Sequence, residues 1–268
     1  MKINSNGWLK IIILILITVA TILFTLPYVQ NYRAAQLKLN EATIFQSEIP
    51  DKIPTTEYIH SLNLRDMLDI KGQNKNVIGR ILIPSVGLSD DIYVGLTNGN
   101  LGIGAVTMFP YRTPQRHNIV LLGHNVGFTA IHFGVLKRVK LKNTIYMQYL
   151  NHDYQYEITS IETIKETEIG RVADTKYSQL SLVTCSAPTT TSNRLLVQAR
   201  LVKELQKDND NNLIRSIVDE TTKKNRHELD VEMWRAIWLP ILMIIVGYGV
   251  IITIVLGIMN NQKIKRRK

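Results

Sequence analysis

The sequence predicts an all-β exterior domain with a few short helices, flanked by an N-terminal and a C-terminal transmembrane helix. Two observations carry most of this. Two long apolar runs without a charge lie near the chain ends, and seven short β-branched segments lie at close spacing between them. A third observation limits the alternatives: a single cysteine in 268 residues excludes an intramolecular disulfide framework and any zinc site needing two or more thiolates.

The first apolar run is Ile11 to Val29, 19 residues preceded by Lys2 and Lys10. A secretory leader has an apolar core of about 7–15 residues and then a small-residue cleavage site. This run is longer, and the small pair Ala34-Ala35 lies beyond Arg33, so it reads as an uncleaved signal anchor. The second run is Ala236 to Met259, 24 residues, followed by the basic cluster Lys263 to Lys268. About 20 apolar residues suffice to cross the hydrocarbon core.

Hydrophobic residues at 45% and charged residues at 20% exclude global disorder. The net charge of +10 suggests nucleic acid, but its location argues otherwise. Setting aside the eight basic residues at the chain ends leaves 24 against 22 acids, about +2 for the middle. Charge that flanks apolar runs is a membrane signature, and no nucleic-acid partner is expected. Basic residues stay on the cytoplasmic side. The expectation is therefore a two-pass cell-membrane protein in contact with lipid. Residues 1–10 and 260–268 are cytoplasmic, 11–29 and 236–259 span, and the middle is extracellular.

Within that middle, residues 30–76 are polar, with Pro50 and Pro54 breaking any long helix; Asn31–Ala42 and Thr56–Ile70 read as short amphipathic helices. The β-like segments are Val77–Pro84, Asp91–Val94, Asn118–Leu122, Thr144–Tyr149, Tyr154–Ile158, Leu180–Thr184 and Arg194–Ala199. Short strands with turn residues between them indicate an antiparallel barrel or sandwich over residues 77–202. Thr129–Lys137 suits one short helix. Residues 203–235 read as a polar stalk, part helix and part linker.

Three residues at strand ends suit chemistry. Cys185 closes an apolar run where Ser186-Ala187-Pro188 breaks the strand. A cysteine nucleophile needs a base, usually histidine, and help for the oxyanion. His124 follows a similar run, and Gly123 before it lets the backbone turn sharply. Arg194 opens the strand after the Cys185 loop. Each has a plain alternative: a buried inert thiol, a turn histidine with one backbone hydrogen bond, and a surface arginine like Arg200. His60, His117, His132, His152 and His227 lack comparable framing.

Ser181-Leu182-Val183-Thr184-Cys185, then Arg194-Leu195-Leu196-Val197, preceded by Leu122-Gly123-His124-Asn125, resemble the sortase family of membrane-anchored cysteine transpeptidases of Gram-positive bacteria. Ser181 replaces the first threonine of that family's Thr-Leu-x-Thr-Cys signature and keeps the hydroxyl. Val77–Pro84 also follows a pattern typical of the family. The resemblance implies an eight-stranded sortase-type β-barrel with the site in a groove. It implies Cys185 as nucleophile, His124 as general acid and base, and Arg194 as donor to substrate or oxyanion, with Thr184 and Leu182 contacting substrate. The implied reaction cleaves a Leu-Pro-x-Thr-Gly-like sorting signal between Thr and Gly. The acyl group then passes to an amine, on a pilin lysine or a lipid II-type wall precursor. The implied partners are sorting-signal-bearing surface proteins or pilins. No metal or cofactor is expected. Adjacent cationic His124 and Arg194 would favour the Cys185 thiolate.

The C-terminal apolar run, the nine-residue step from Cys185 to Arg194 and the Arg-Leu-Leu-Val run resemble the pilin-polymerising class C. The Asp-Pro-aromatic lid motif of that class does not occur between residues 30 and 76. Gly-His-Asn is also seen in class A, the housekeeping enzymes that anchor proteins to peptidoglycan, which is the alternative. Two rival readings are a surface binding protein on a catalytically degenerate barrel and a membrane signal peptidase or serine hydrolase using Ser186.

Overall fold

In the computed structural model, which describes residues 5–39, 45–62, 64–69, 77–126, 131–188 and 191–265, the β-branched segments close into one barrel. Its strands are β1 (Val77–Ile83), β2 (Leu88–Val94), β3 (Ala105–Thr107), β4 (Asn118–Leu122), β5 (Thr144–Tyr149), β6 (His152–Lys165), β7 (Gln179–Cys185) and β8 (Asn193–Leu205). They run around the barrel in the order β1-β2-β3-β4-β7-β8-β6-β5, with β5 returning to β1. Six neighbouring pairs are antiparallel. The β2/β3 and β4/β7 pairs are parallel, against the all-antiparallel expectation. Parallel neighbours need a crossover. The short helix Asn98–Leu101 supplies the first, and the β5–β6 hairpin with its flanking turns supplies the second.

The interior is filled by residues that alternate along each strand. Ile119 and Leu121 of β4, Leu180 and Leu182 of β7, and Val197 and Ala199 of β8 join Ile81, Ile92, Met147 and Tyr156 in one core. Each fully buried Leu, Ile or Val contributes about 1.5–3 kcal/mol relative to exposure. The alternate residues of the same three strands face outward. Val120, Leu122, Val183 and Leu196 form a second apolar cluster with Val172, Ile164, Met108 and Phe109. The barrel wall that carries the candidate site is therefore apolar on both faces.

Two long helices overturn the all-β expectation, and the chain is mixed α/β. Ser5–Leu39 is one helix of 35 residues, and Lys207–Lys265 is one helix of 59 residues. The polar stretch read as part linker is helical from Lys207 onward. Its buried positions recur at helical spacing: Ile214, then Thr221, Asn225 and Leu229. Hydrogen bonds fasten this stripe to the β1–β2 turn. Asn225 Nδ2 donates to the Gly87 carbonyl at 2.9 Å, and Lys224 Nζ to the Pro84 carbonyl at 3.1 Å. Ser89 Oγ lies 3.2 Å from Thr222 Oγ1.

The number of membrane spans also needs correction. Among the described residues one helix, Ile15–Leu37, is long and apolar enough to cross a membrane. The run Ala236–Met259, expected as a second span, continues the charged helix that starts at Lys207 without an intervening break. The side chains of residues 254–265 and all of Arg266–Lys268, the end of the expected basic tail, lie outside the description. The chain divides into two compact units, residues 33–232 and the flanking segments 1–32 with 233–268. Of the two short N-terminal helices expected, the first falls in the end of the 35-residue helix, with residues 40–42 outside the description. The second is confined to Leu64–Asp69. The short helix expected at Thr129–Lys137 is a 3₁₀ turn, Phe133–Arg138, with residues 127–130 outside the description.

Candidate active site

Strands β4, β7 and β8 are consecutive around the barrel, and each presents one of the three candidate residues at the same end. Cys185 is the last residue of β7, and its Cα partner on β8 is Arg194. The Ser186 N–H continues this ladder by donating to the Asn193 carbonyl at 3.1 Å. On the other side β4 and β7 run parallel, with Leu122 opposite Val183. Two residues further along each chain stand His124 and Cys185. The register holds beyond the strand end. Gly123 N–H donates to the Val183 carbonyl at 3.1 Å, and Asn125 Nδ2 donates to the Cys185 carbonyl at 2.8 Å. By strand alternation Cys185 shares the outward face with Val183, and Arg194 shares it with Leu196. The apolar cluster described above forms the floor beside them.

Gly123 answers to close approach more than to a sharp turn. A Cβ there would lie 2.6 Å from the buried Phe133 ring. Phe133 N–H in turn donates to the His124 carbonyl at 3.1 Å, so the loop after β4 is clamped from below.

His124 is 8% exposed, and its Nε2 is enclosed with no hydrogen-bond partner among the described residues. Burial lowers its pKa to about 4; the neighbouring His132 and His60 charges add to this, and Asp66 opposes them. His124 is therefore a neutral imidazole at neutral pH. It lends no positive charge to the thiol, contrary to the sequence expectation, and is instead free to accept a proton. Cys185 is half-buried and unpaired.

Arg194 is engaged by groups of the protein itself. Its Nη2 meets Glu166 Oε2 at 2.6 Å, and its Nη1 donates to the carbonyls of Thr191 and, at 3.2 Å, Asn193. Glu166 follows β6 directly and is placed by its N–H, which donates to the Ser192 carbonyl at 2.8 Å. Arg200, on the same face of β8, pairs with Glu157 at 2.9 Å and is exposed.

The two expected substrate contacts lie on the inner side of β7. Leu182 lies wholly inside the barrel core, and Thr184 is 2% exposed. Both have the opposite parity to Cys185, so the pleat turns them inward. Ser181 is also buried, and its hydroxyl donates to Asn118 Oδ1 at 2.9 Å, which gives the retained hydroxyl a structural use. Among the described residues no group of three or more His, Cys, Asp or Glu side chains could hold a metal ion. The residues that sequence reasoning passed over are Asn125, Glu166, and the buried pair Asp90 and His132. Of these, only Asn125 stood inside a motif.

Comparison with known proteins places the chain in a family. The sortase-domain family model matches residues 81–202. A putative sortase, YwpE, of Bacillus subtilis is 32% identical over 85 residues, 32% of this chain and 83% of that protein. The chain belongs to the sortase family. The sortase A of Listeria monocytogenes serovar 1/2a is 29% identical to this sortase over 213 residues, covering 72% of this chain and 91% of that one. The crystal structure of Listeria monocytogenes sortase A is 33% identical, with a TM-score of 0.48 over 52% of this chain and 97% of the other. This sortase is accordingly a cysteine transpeptidase enzyme, and the readings as a degenerate binding protein or a serine hydrolase fall away.

Proposed function

We propose that this sortase cleaves a Leu-Pro-x-Thr-Gly-like sorting signal between Thr and Gly and joins the threonine carbonyl to an amine. The observation that supports it most is the placing of Cys185 between Arg194 and the His124 turn on adjacent strands. Neutral His124 takes the proton of the Cys185 thiol as sulfur attacks the threonine carbonyl carbon. The imidazolium so formed gives that proton to the departing glycine amine, leaving a thioester on Cys185. An incoming amine then attacks the thioester and loses a proton to His124, and the proton returns to the thiolate as it leaves. Two thioester steps replace one direct attack of an amine on an amide. Arg194 exchanges its bond to Glu166 for bonds to the substrate or the developing oxyanion.

Within the family the class A type, anchoring proteins to a wall precursor, fits better than the class C type. The class C reading leaned on a second membrane span, and only the N-terminal helix meets that test among the described residues. The lid motif of class C is missing from the sequence, and the Listeria relative is named a sortase A. Lys2 and Lys10 ahead of the apolar span Ile15–Leu37 suit an anchor with its start in the cytoplasm and the barrel on the outer surface. The deciding experiment incubates the full chain in detergent with sorting-signal peptides. Wall-precursor amines and pilin lysines are offered in parallel, and the products are read by mass. The expected product joins the peptide at threonine to the wall-type amine. Transfer to pilin lysine alone would select class C, and product formation by Cys185→Ala would overturn the mechanism.

A further inference from the structure

Beneath the His124 turn lies a buried polar pair that the mechanism above does not use. Asp90, on β2, and His132, at the entrance to the 3₁₀ turn Phe133–Arg138, are each fully buried. His132 Nδ1 lies 3.3 Å from both carboxylate oxygens of Asp90, and Nε2 lies 3.2 Å from the Gly102 carbonyl. One ring nitrogen faces the carboxylate and the other a backbone carbonyl, so both polar edges of the ring are engaged. Burying such a pair is costly unless its geometry and hydrogen bonds are good. The His132 backbone adds to the cost. At φ 47° and ψ −141° it occupies a region that suits glycine, and residues stay there only when their surroundings hold them.

What this arrangement holds in place is the catalytic turn. His132 forms an isolated antiparallel bridge with Asn125. The next residue, Phe133, donates its N–H to the His124 carbonyl. Asn125 in turn donates from its side chain to the Cys185 carbonyl. The His124–Asn125 dipeptide is thus gripped between the His132–Phe133 backbone and the nucleophile's own carbonyl.

We infer that Asp90 and His132 are positioning residues for His124, the buried pair fixing the backbone that clamps the His124–Asn125 turn against Cys185. The inference rests on the acid–base reading of His124 given above. Proton transfer needs the base within about 2.6–3.2 Å of its proton's owner, directly or through one water. A shift of the His132 backbone reaches His124 through two hydrogen-bonded links. His132 also acts through its charge, which with His60 lowers the basicity of His124 while Asp66 raises it. Cys185, and Arg194 with its partner Glu166, are titratable or charged groups at the adjoining ends of β7 and β8.

The test measures kcat, KM and the pH profile of peptide transfer for the full chain in detergent and for Asp90→Asn, His132→Asn and His132→Gln. His132→Asn and His132→Gln both remove the ring and keep a polar amide at the site. The expected result is a loss of about 10–100-fold in kcat with KM little changed, the pattern of a misplaced catalytic group. In both His132 variants the acid limb of kcat/KM moves to higher pH, because a positive neighbour has gone. Folded variants with unchanged kcat and an unmoved acid limb would overturn the inference. His124→Ala separates the two levels. If it is active, the acid–base reading fails and takes this inference with it. If it is inactive while the Asp90 and His132 variants are normal, this inference alone fails. Should the variants not fold, ring-nitrogen NMR of the unmodified chain decides. His132 ring-nitrogen resonances that shift when Cys185 is alkylated support the inference, and resonances that do not move overturn it.

Discussion

Arg194 and Glu166 face each other at 2.6 Å from the ends of two neighbouring strands, and the arginine is a quarter exposed while the glutamate is half exposed. The residue proposed to receive the substrate's negative charge is therefore already holding one. A partly exposed pair of this kind contributes only about 0–1 kcal/mol, so a substrate can displace it. Replacing Glu166 by Gln removes the competing charge and keeps the shape. The expected outcome is a KM for sorting peptide lowered by up to about fivefold with kcat little changed. A KM that rises in steady-state assays would show instead that Glu166 holds Arg194 in its working position.

His124 gives a pH dependence of defined sign. Its pKa in the folded chain, about 4, lies below the ordinary 6.5 because burial disfavours the charged ring. Between those values the unfolded chain binds more protons than the folded one. Stability is therefore fully present above pH 6.5 and is lost as pH falls toward 4. Between pH 7 and pH 5 the loss assignable to His124 is on the order of 2 kcal/mol. Denaturant unfolding of the full chain and of His124→Gln at both pH values checks this. The difference between the two pH values should shrink in the variant, and an equal difference in both proteins would contradict the assignment.

Cys185→Ala should abolish cleavage and transfer, and His124→Ala should cost about 10²–10⁴-fold, the usual range for a lost acid–base group. Arg194→Lys should also be poor, because a point charge does not reproduce a planar fork of donors. Arg200→Ala is the control. It shares the outward face of β8 with Arg194, but its partner is Glu157, away from the Cys185 ladder. Kinetics of the four variants on one peptide make the comparison. A dead Arg200→Ala beside a normal Arg194→Lys would mean that the wrong arginine has been assigned.

The site was legible where its residues end or open apolar β-branched runs. Cys185, His124 and Arg194 each do, and strand pairing then sets them side by side. For Thr184 and Leu182, adjacency in a motif and the two-residue period of a strand point to different faces. Leu182 and Thr184 alternate with Cys185 and so point inward. Asp90 and His132 stand 42 residues apart, and only closure of the barrel brings them together. Glu166 carries no local signal, since it meets Arg194 through a β6/β8 pairing of 28-residue separation. Strand β3, at three residues, is too short to show a period. The helical stripe on the stalk was hidden because Thr221 and Asn225, two of its buried positions, are polar.

That stripe yields the last prediction. Asn225 is buried, and its amide reaches the Gly87 carbonyl at 2.9 Å, at the turn where Gly87 itself has φ +69°. Truncating the amide leaves that carbonyl without the donor while the helix still covers it. A buried acceptor stripped of its partner costs about 1–3 kcal/mol. Asn225→Ala should therefore destabilise residues 33–232 by that amount, although alanine is the better helix former. Arg226→Ala, one position along on the exposed face, should change stability by no more than about 0.5 kcal/mol. Hydrogen exchange on the full chain locates the effect. In Asn225→Ala, protection should fall first in the β1–β2 turn and in helix residues 214–229, while β7 and β8 keep theirs. If Asn225→Ala matched Arg226→Ala in stability and exchange, the stalk would not be fastened to the barrel by this bond, and its apolar contacts at Ile214 and Leu229 would have to hold it alone.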